Sequence, residues 1–95
     1  MGIEAKKFEK GDRVYYAGDV SRSGTNSELQ AVDENIVAKA PHKLSNADAA
    51  GIPLVSLTVI EALTENMRIP FNPQENDGKT ILITAGAGGV GSFAV

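Results

Sequence analysis

The spacing of apolar residues along this chain changes twice, and each change marks a different kind of structure. From about residue 8 to residue 41 the apolar positions come in short runs broken by Gly, Asp and Ser. Arg13-Val14-Tyr15-Tyr16-Ala17 is rich in strand formers and follows the turn signal Lys10-Gly11-Asp12. Leu29, Ala31 and Val32, then Ile36-Val37-Ala38, read as two more short strands separated by Asp33-Glu34-Asn35. This stretch predicts β structure with no helical period. From residue 45 the period lengthens. Ser45-Asn46-Ala47-Asp48 has the form of a capping box with Asp in place of Glu, and it predicts a short helix over Ala47, Ala49 and Ala50. Gly51-Ile52-Pro53 interrupts that helix, and Pro53 suits the first turn of a second one. Val55, Val59, Leu63 and Met67 then recur every four residues, giving one broad apolar stripe and a buried helix that Ile69-Pro70 ends. Beyond a loop over residues 71–79, Thr80-Ile81-Leu82-Ile83-Thr84 is apolar and β-branched throughout, the pattern of a strand covered on both faces in a parallel sheet. Ala85-Gly86-Ala87-Gly88-Gly89-Val90-Gly91 follows, and residues 92–95 continue a helix. There is no internal repeat and no low-complexity segment.

The glycine run carries the most specific chemistry. Gly86-x-Gly88-x-x-Gly91 satisfies G-x-G-x-x-G, a weak pattern by itself. Here it follows an expected strand and opens an expected helix, which is the context the dinucleotide fingerprint requires. A phosphate needs several backbone N–H groups at short range and the positive end of a helix. Side chains would block that approach, so glycine serves at the turn, at the contact and where helix meets strand. The bland alternative is a glycine-rich turn between a strand and a helix. A phosphate loop of the nucleotide triphosphatase type is excluded, because Gly91 is followed by Ser92-Phe93 and not by Lys-Ser/Thr. The group that reads the ribose lies roughly 20 residues beyond the fingerprint, past Val95.

Composition narrows the classes. The chain has 95 residues, enough for one small domain, with 42% hydrophobic and 22% charged residues, as in a soluble globular protein. The net charge is −3, and the nine Lys and Arg are scattered, which argues against a nucleic-acid or membrane-surface partner. Cysteine is absent, so disulfides and thiolate metal sites are excluded within the chain, in keeping with a cytoplasmic location. The longest apolar runs fall far short of a membrane span. Met1-Gly2-Ile3-Glu4 lacks the order of a signal peptide, and residues 4–10 read as mid-chain linker.

Taken in order, five marks resemble the medium-chain dehydrogenase/reductase superfamily, above all its quinone-oxidoreductase branch and the zinc-type alcohol dehydrogenase-like proteins. They are Gly11-Asp12-Arg13-Val14, residues 24–30, Ala49-Ala50-Gly51-Ile52-Pro53-Leu54, Leu57-Thr58 with Glu61-Ala62-Leu63, and Ala85-x-x-Gly88-x-x-Gly91. None is specific alone; their order and spacing are strong together and cover residues 11–95. The resemblance implies an α/β parent built of a GroES-like β catalytic domain and a Rossmann domain, of which this chain is an internal fragment. Residues 1–44 would then be part of the catalytic domain, 45–70 a connecting helical segment, and 71–95 the first strand, loop and helix of the Rossmann domain. It also implies hydride transfer from NADPH, preferred over NAD, to a small-molecule carbonyl, quinone or activated double bond, in a homo-oligomer. A zinc-dependent alcohol dehydrogenase and a non-catalytic module of the same fold are the alternatives.

Residue by residue, Ala87, Gly88, Gly89 and Val90 resemble the family's pyrophosphate cradle, and Thr58 resembles a threonine beside the nicotinamide. Without the resemblance, Thr58 is a helix hydroxyl bonded back to a carbonyl. Leu54 stands where zinc-dependent members carry a cysteine ligand, and residues 15–23 replace their four-cysteine lobe without one cysteine. Zinc needs N, S or O ligands, so no metal is expected in this chain. No catalytic residue is assigned. His42 reads as a solvated loop histidine before a proton donor. Tyr15 and Tyr16 alternate faces of a strand, one a candidate for lining a substrate cleft, with packing the blander account. Asp12, Arg13, Asp33 and Glu34 read as turn and surface charges.

Overall fold

The structure, a computed structural model, describes Gly2 and residues 5–95. Met1, Ile3 and Glu4 lie outside the described residues, and with them most of the leader reading and the start of the linker reading. The chain forms two compact units, Met1–Pro53 and Leu54–Val95. Among the described residues it is a mixed α/β segment with two short strands and one long helical stretch.

In the first unit Gly11, at φ +102°, takes the left-handed position that only glycine adopts freely, and the chain turns there. The turn closes through the Asp12 N–H donating to the Glu9 carbonyl, while the Asp12 carboxylate accepts from the Glu9 N–H. Strand β1 (Val14–Tyr15) follows and pairs antiparallel with β2 (Ala38–Lys39), Val14 opposite Lys39 and Tyr15 opposite Ala38. Lys39 reaches back to Asp12 at 3.1 Å, tying the two strands at one end. Arg13 extends the other way, donating to the Leu44 carbonyl and to Asn46 Oδ1. That fixes the start of α1 (Asn46–Ala50) against the strand, with Ala40 and Ala49 buried. Ser45 caps α1, its hydroxyl accepting from the Asp48 N–H and donating to the Asp48 carboxylate. The capping reading therefore holds, with the shorter Asp meeting the cap hydroxyl.

Helix α2 (Ile52–Ile60) starts with Pro53 in its first turn, as expected. It runs on into a π-helical turn, Glu61–Asn66. The stripe holds at Val59, which is buried, and at Val55 and Leu63, half-buried. It fails at Met67, 55% exposed. The π turn is the reason: its i→i+5 bonding takes an extra residue per turn, so a four-residue spacing no longer returns to the same face. Arg68, at φ +55°, ends the helix in the left-handed conformation, and the Ile69 N–H closes on the Leu63 carbonyl. A 3-10 turn, Pro73–Asn76, capped by Asn72, and a bend at Gly78 (φ +73°) lead to residues 79–83. The unit ends in α3 (Gly89–Ala94).

Four expectations are corrected. Residues 29–32 form no strand; the Leu29 side chain is 91% exposed and has no ladder to join. The strand expected at 36–38 shifts to Ala38–Lys39, because Asp33 caps a 3-10 turn, Glu34–Ile36, through its carboxylate and the Asn35 N–H. Residues 80–84 form no strand either, since among the described residues no other strand lies beside them; Leu82 is 88% exposed. Finally, the helical stretch Asn46–Asn66 is long and apolar enough to cross a membrane by length and composition alone. The sequence breaks that run at Gly51-Ile52-Pro53, but Gly51 keeps an αR backbone, so the helix signal carries across it.

Candidate glycine-loop site

The glycine loop is built by a tight turn followed at once by a helix start. Ala85 sits at φ +54°, and the Gly88 N–H donates to the Ala85 carbonyl at 2.8 Å. Gly88, extended at φ −77° and ψ 167°, is the N-cap of α3, and its own carbonyl accepts from Ser92 at 2.8 Å. This geometry ranks the glycines. A Cβ on Gly91 would stand 2.2 Å from the Ala85 oxygen and 2.9 Å from the Gly86 Cα, a clash of backbone with backbone. A Cβ on Gly88 would meet the same oxygen at 3.2 Å, and one on Gly89 would meet nothing within 4 Å. Gly91 is thus required by close approach. Gly88 is tight, and Gly89 keeps an open surface.

Donor availability follows from the same turn. Gly89 and Val90 are the first residues of α3, where N–H groups precede any intrahelical acceptor. The Gly88 N–H is already committed to Ala85. All four cradle positions read from the sequence, Ala87, Gly88, Gly89 and Val90, are exposed residues, and Gly88 also shapes the turn. That arrangement fits an anion approached by backbone donors.

The Thr58 hydroxyl donates to the Leu54 carbonyl at 2.9 Å, four residues back on α2, so the bland reading describes its bonding here. Among the described residues β1 and β2 are the only elements in extensive mutual contact. Leu54 is 66% exposed, and the described residues contain no group of three His, Cys, Asp or Glu placed to hold a metal. His42 is exposed in a turn.

Within the first unit, Phe8, Val14, Tyr16, Leu29, Val32 and Val37 help line a groove of about 830 Å³. Tyr16 lines it and Tyr15 does not. The Tyr16 hydroxyl donates to Gln30 Oε1 at 2.5 Å, and Gln30 in turn donates to the Ser23 carbonyl at 2.5 Å. That chain of bonds, which the sequence does not announce, anchors residues 23–30 to the strand. The charged residues act structurally. Glu34 accepts from the N–H groups of Lys6 and Lys7, and these bonds, Lys7 first, hold its carboxyl below the usual range. Asp12 is lowered by the Glu9 N–H and then by Lys39.

No family model matches the chain. Curated proteins do match it over nearly its whole length. A zinc-type alcohol dehydrogenase-like protein of Staphylococcus aureus is 47% identical over 94 residues, 99% of this chain. Its counterpart in Staphylococcus epidermidis is 45% identical over the same extent. A mitochondrial NAD(P)H oxidoreductase of Homo sapiens is 37% identical over 94 residues. The chain spans 28% of the length of the staphylococcal relatives and 23% of the human one.

Proposed function

We propose that this chain, homologous over 94 residues to proteins of the medium-chain dehydrogenase/reductase superfamily, is the pyrophosphate-holding segment of a cytoplasmic, homo-oligomeric NAD(P)H-dependent oxidoreductase. On this reading residues 1–44 belong to a GroES-like catalytic domain, 45–70 connect, and 71–95 open a Rossmann domain. The observation that carries it is steric. The last glycine of the fingerprint lies where a Cβ would overlap the Ala85 backbone at 2.2 Å, as expected of a glycine kept for close packing of helix on turn. Ala87, Gly89 and Val90 would present backbone N–H groups to the pyrophosphate, and Gly88 would shape the turn beneath it. Thr58 would face the nicotinamide after exchanging its Leu54 bond for a cofactor contact.

Such a cofactor, NADPH in preference to NAD, would supply hydride to a quinone-like carbonyl or to the activated double bond of an enone. The chain's own residues bind and orient it, which is how a site without metal accelerates such a transfer. Leu54 in place of a metal-binding side chain favours the zinc-independent reading over the zinc-dependent alcohol dehydrogenase that the staphylococcal name suggests.

The test is NADPH titration of a polypeptide carrying this stretch together with the rest of the fold. Gly88→Val should weaken binding at least tenfold; its Cβ would meet the Ala85 carbonyl oxygen at a tight 3.2 Å, so a circular dichroism spectrum recorded beside the titration checks that the turn and α3 survive. Gly91→Ala should disturb binding and the start of the helix together. Unchanged affinity in Gly88→Val would overturn the assignment.

A further inference from the structure

The sequence contains one Asp-Gly step, Asp77-Gly78, and no Asn-Gly step. It lies at the centre of a tight turn. The Lys79 N–H donates to the Asn76 carbonyl at 3.1 Å, Asp77 stands at φ −57° and ψ 134°, and Gly78 at φ +73°. Those are the angles of a type II turn, with glycine at the position that needs a positive φ. The turn is closed by its own neighbours. Asn76 Nδ2 donates to the Pro70 carbonyl at 2.6 Å and to the Asn72 carbonyl at 3.2 Å, and Lys79 Nζ donates to Asn76 Oδ1 at 3.2 Å. Each of these bonds lies within residues 70–79, so the turn is held without help from any other part of the polypeptide. Asp77 and Gly78 are exposed, and among the described residues the Gly78 N–H has no acceptor.

We propose that Asp77-Gly78 is a site of spontaneous isoaspartate formation whose rate is set by opening of this turn. The Gly78 nitrogen attacks Cγ of the protonated Asp77 carboxyl. The N–Cγ bond forms, the Cγ–OH bond breaks, and the amide proton leaves with that hydroxyl as water. Water then adds back to the five-membered ring. Addition at the former side-chain carbonyl restores aspartate. Addition at the former main-chain carbonyl breaks its bond to nitrogen and leaves the chain running through Cβ and Cγ. One water is lost and one regained, so the mass is unchanged and no oxidant or reductant takes part. Glycine suits the attacking position because it carries no side chain to hinder its nitrogen, and the space a Cβ would fill at Gly78 is open to 4 Å. The ring closes only when Asp77 Cβ and the Gly78 nitrogen eclipse each other about the Cα–C bond. At ψ 134° they are far from eclipsed, so the closed turn holds the reacting atoms out of a near-attack geometry. Reaction waits for local opening, which exposed turns undergo at small free-energy cost. The product carries one more carbon in the main chain, so the four-residue turn does not re-form as before.

The test follows the 95-residue chain through weeks of incubation at mildly acidic pH, where a share of aspartate carboxyls is protonated. Chromatography of proteolytic peptides separates the isoaspartyl form from the aspartyl form of equal mass, and electron-transfer fragmentation locates it. Isoaspartate should accumulate at residue 77, roughly tenfold more slowly in the folded chain than in urea. Lys79→Pro removes the N–H that closes the turn, and its rate without urea should approach the urea rate. Lys79→Ala keeps that N–H and should stay near wild type. Asp77→Glu should yield no product at this position. Circular dichroism checks that the variants keep their helices; should Lys79→Pro fail to fold, the wild-type comparison with and without urea still decides. A folded wild-type chain that isomerises as fast as in urea overturns the proposal. So does a folded chain that forms none at residue 77 while the urea sample converts, or a folded Lys79→Pro variant that stays at the wild-type rate.

Discussion

Single residues in this chain are held by backbone conformation more than by burial. Arg68 and Ala85 both adopt φ near +55°, a region that opposes an L side chain by roughly 1–2 kcal/mol. At Arg68 the conformation is that of a helix-ending glycine, since the Ile69 N–H returns to the Leu63 carbonyl across it. Arg68→Gly should therefore stabilise the helix end by about 1 kcal/mol. Hydrogen exchange at the Ile69 amide reads this directly, with protection rising roughly fivefold for that free energy. Unchanged or faster exchange would mean that the arginine side chain holds the turn. The sequence offered no sign of this position, because arginine in a helix's last turn reads as an ordinary charge complement to the helix end. Thr58 is the reverse case: its bond to Leu54 is what an isolated helix threonine does, and only the resemblance gives it a cofactor role.

At the scale of elements, carboxylates organise the first unit. Glu34 gathers the Lys6 and Lys7 N–H groups, Asp33 caps the 3-10 turn, and Asp12 closes the turn before β1 and pairs with Lys39. The Glu34 and Asp12 groups have folded-state pKa values below their ordinary ones. The sign follows: a lowered acid contributes stability that is complete above its unfolded pKa, about 4 for these residues, and is lost as pH falls through that value toward the folded one. Exchange of the Lys6 and Lys7 amides, corrected for intrinsic rates, should thus lose protection as pH drops below about 4. Glu34→Gln should abolish that pH dependence at these two amides and leave the β1–β2 pairing in place. A variant that keeps the same pH profile would assign the effect to another group. The turn at Gly11 and the Ser45 cap were legible because their signals are local. The 3-10 turn after Asp33 was misread as a gap between strands, since Asp-Glu-Asn suits both.

For the whole molecule the decisive quantity is how little is covered. Among the described residues Ala40, Ala49 and Val59 are the buried hydrophobic side chains, and Leu54, Leu57 and Ile60 on α2 are largely open. Holding two reactants in a near-attack geometry is worth roughly 7–11 kcal/mol in enzymes, and this chain spans 28% of the length of the staphylococcal relatives it matches. The purified 95-residue chain should accordingly show no NADPH oxidation with quinones above a buffer blank. Turnover that co-purifies with the chain through several columns, and disappears in Gly91→Ala, would contradict this.

The sequence by itself determined what depends on near neighbours along the chain. Gly11 dictates a turn, Ser45 a cap, Pro53 a helix start, and the glycine run a turn entering a helix, because each acts through its own backbone and the next few residues. The match to known oxidoreductases was likewise legible, in the order of five short marks. Tertiary structure alone decided the rest. Whether residues 80–84 become a strand depends on a partner for their N–H and C=O groups, and no apolar pattern can supply one. Whether the α2 stripe is buried depends on what lies against it and on the π turn that rotates Met67 outward. Which fingerprint glycine is indispensable was settled by one distance, 2.2 Å from a Gly91 Cβ to the Ala85 oxygen, which exists only once the turn and the helix have closed on each other.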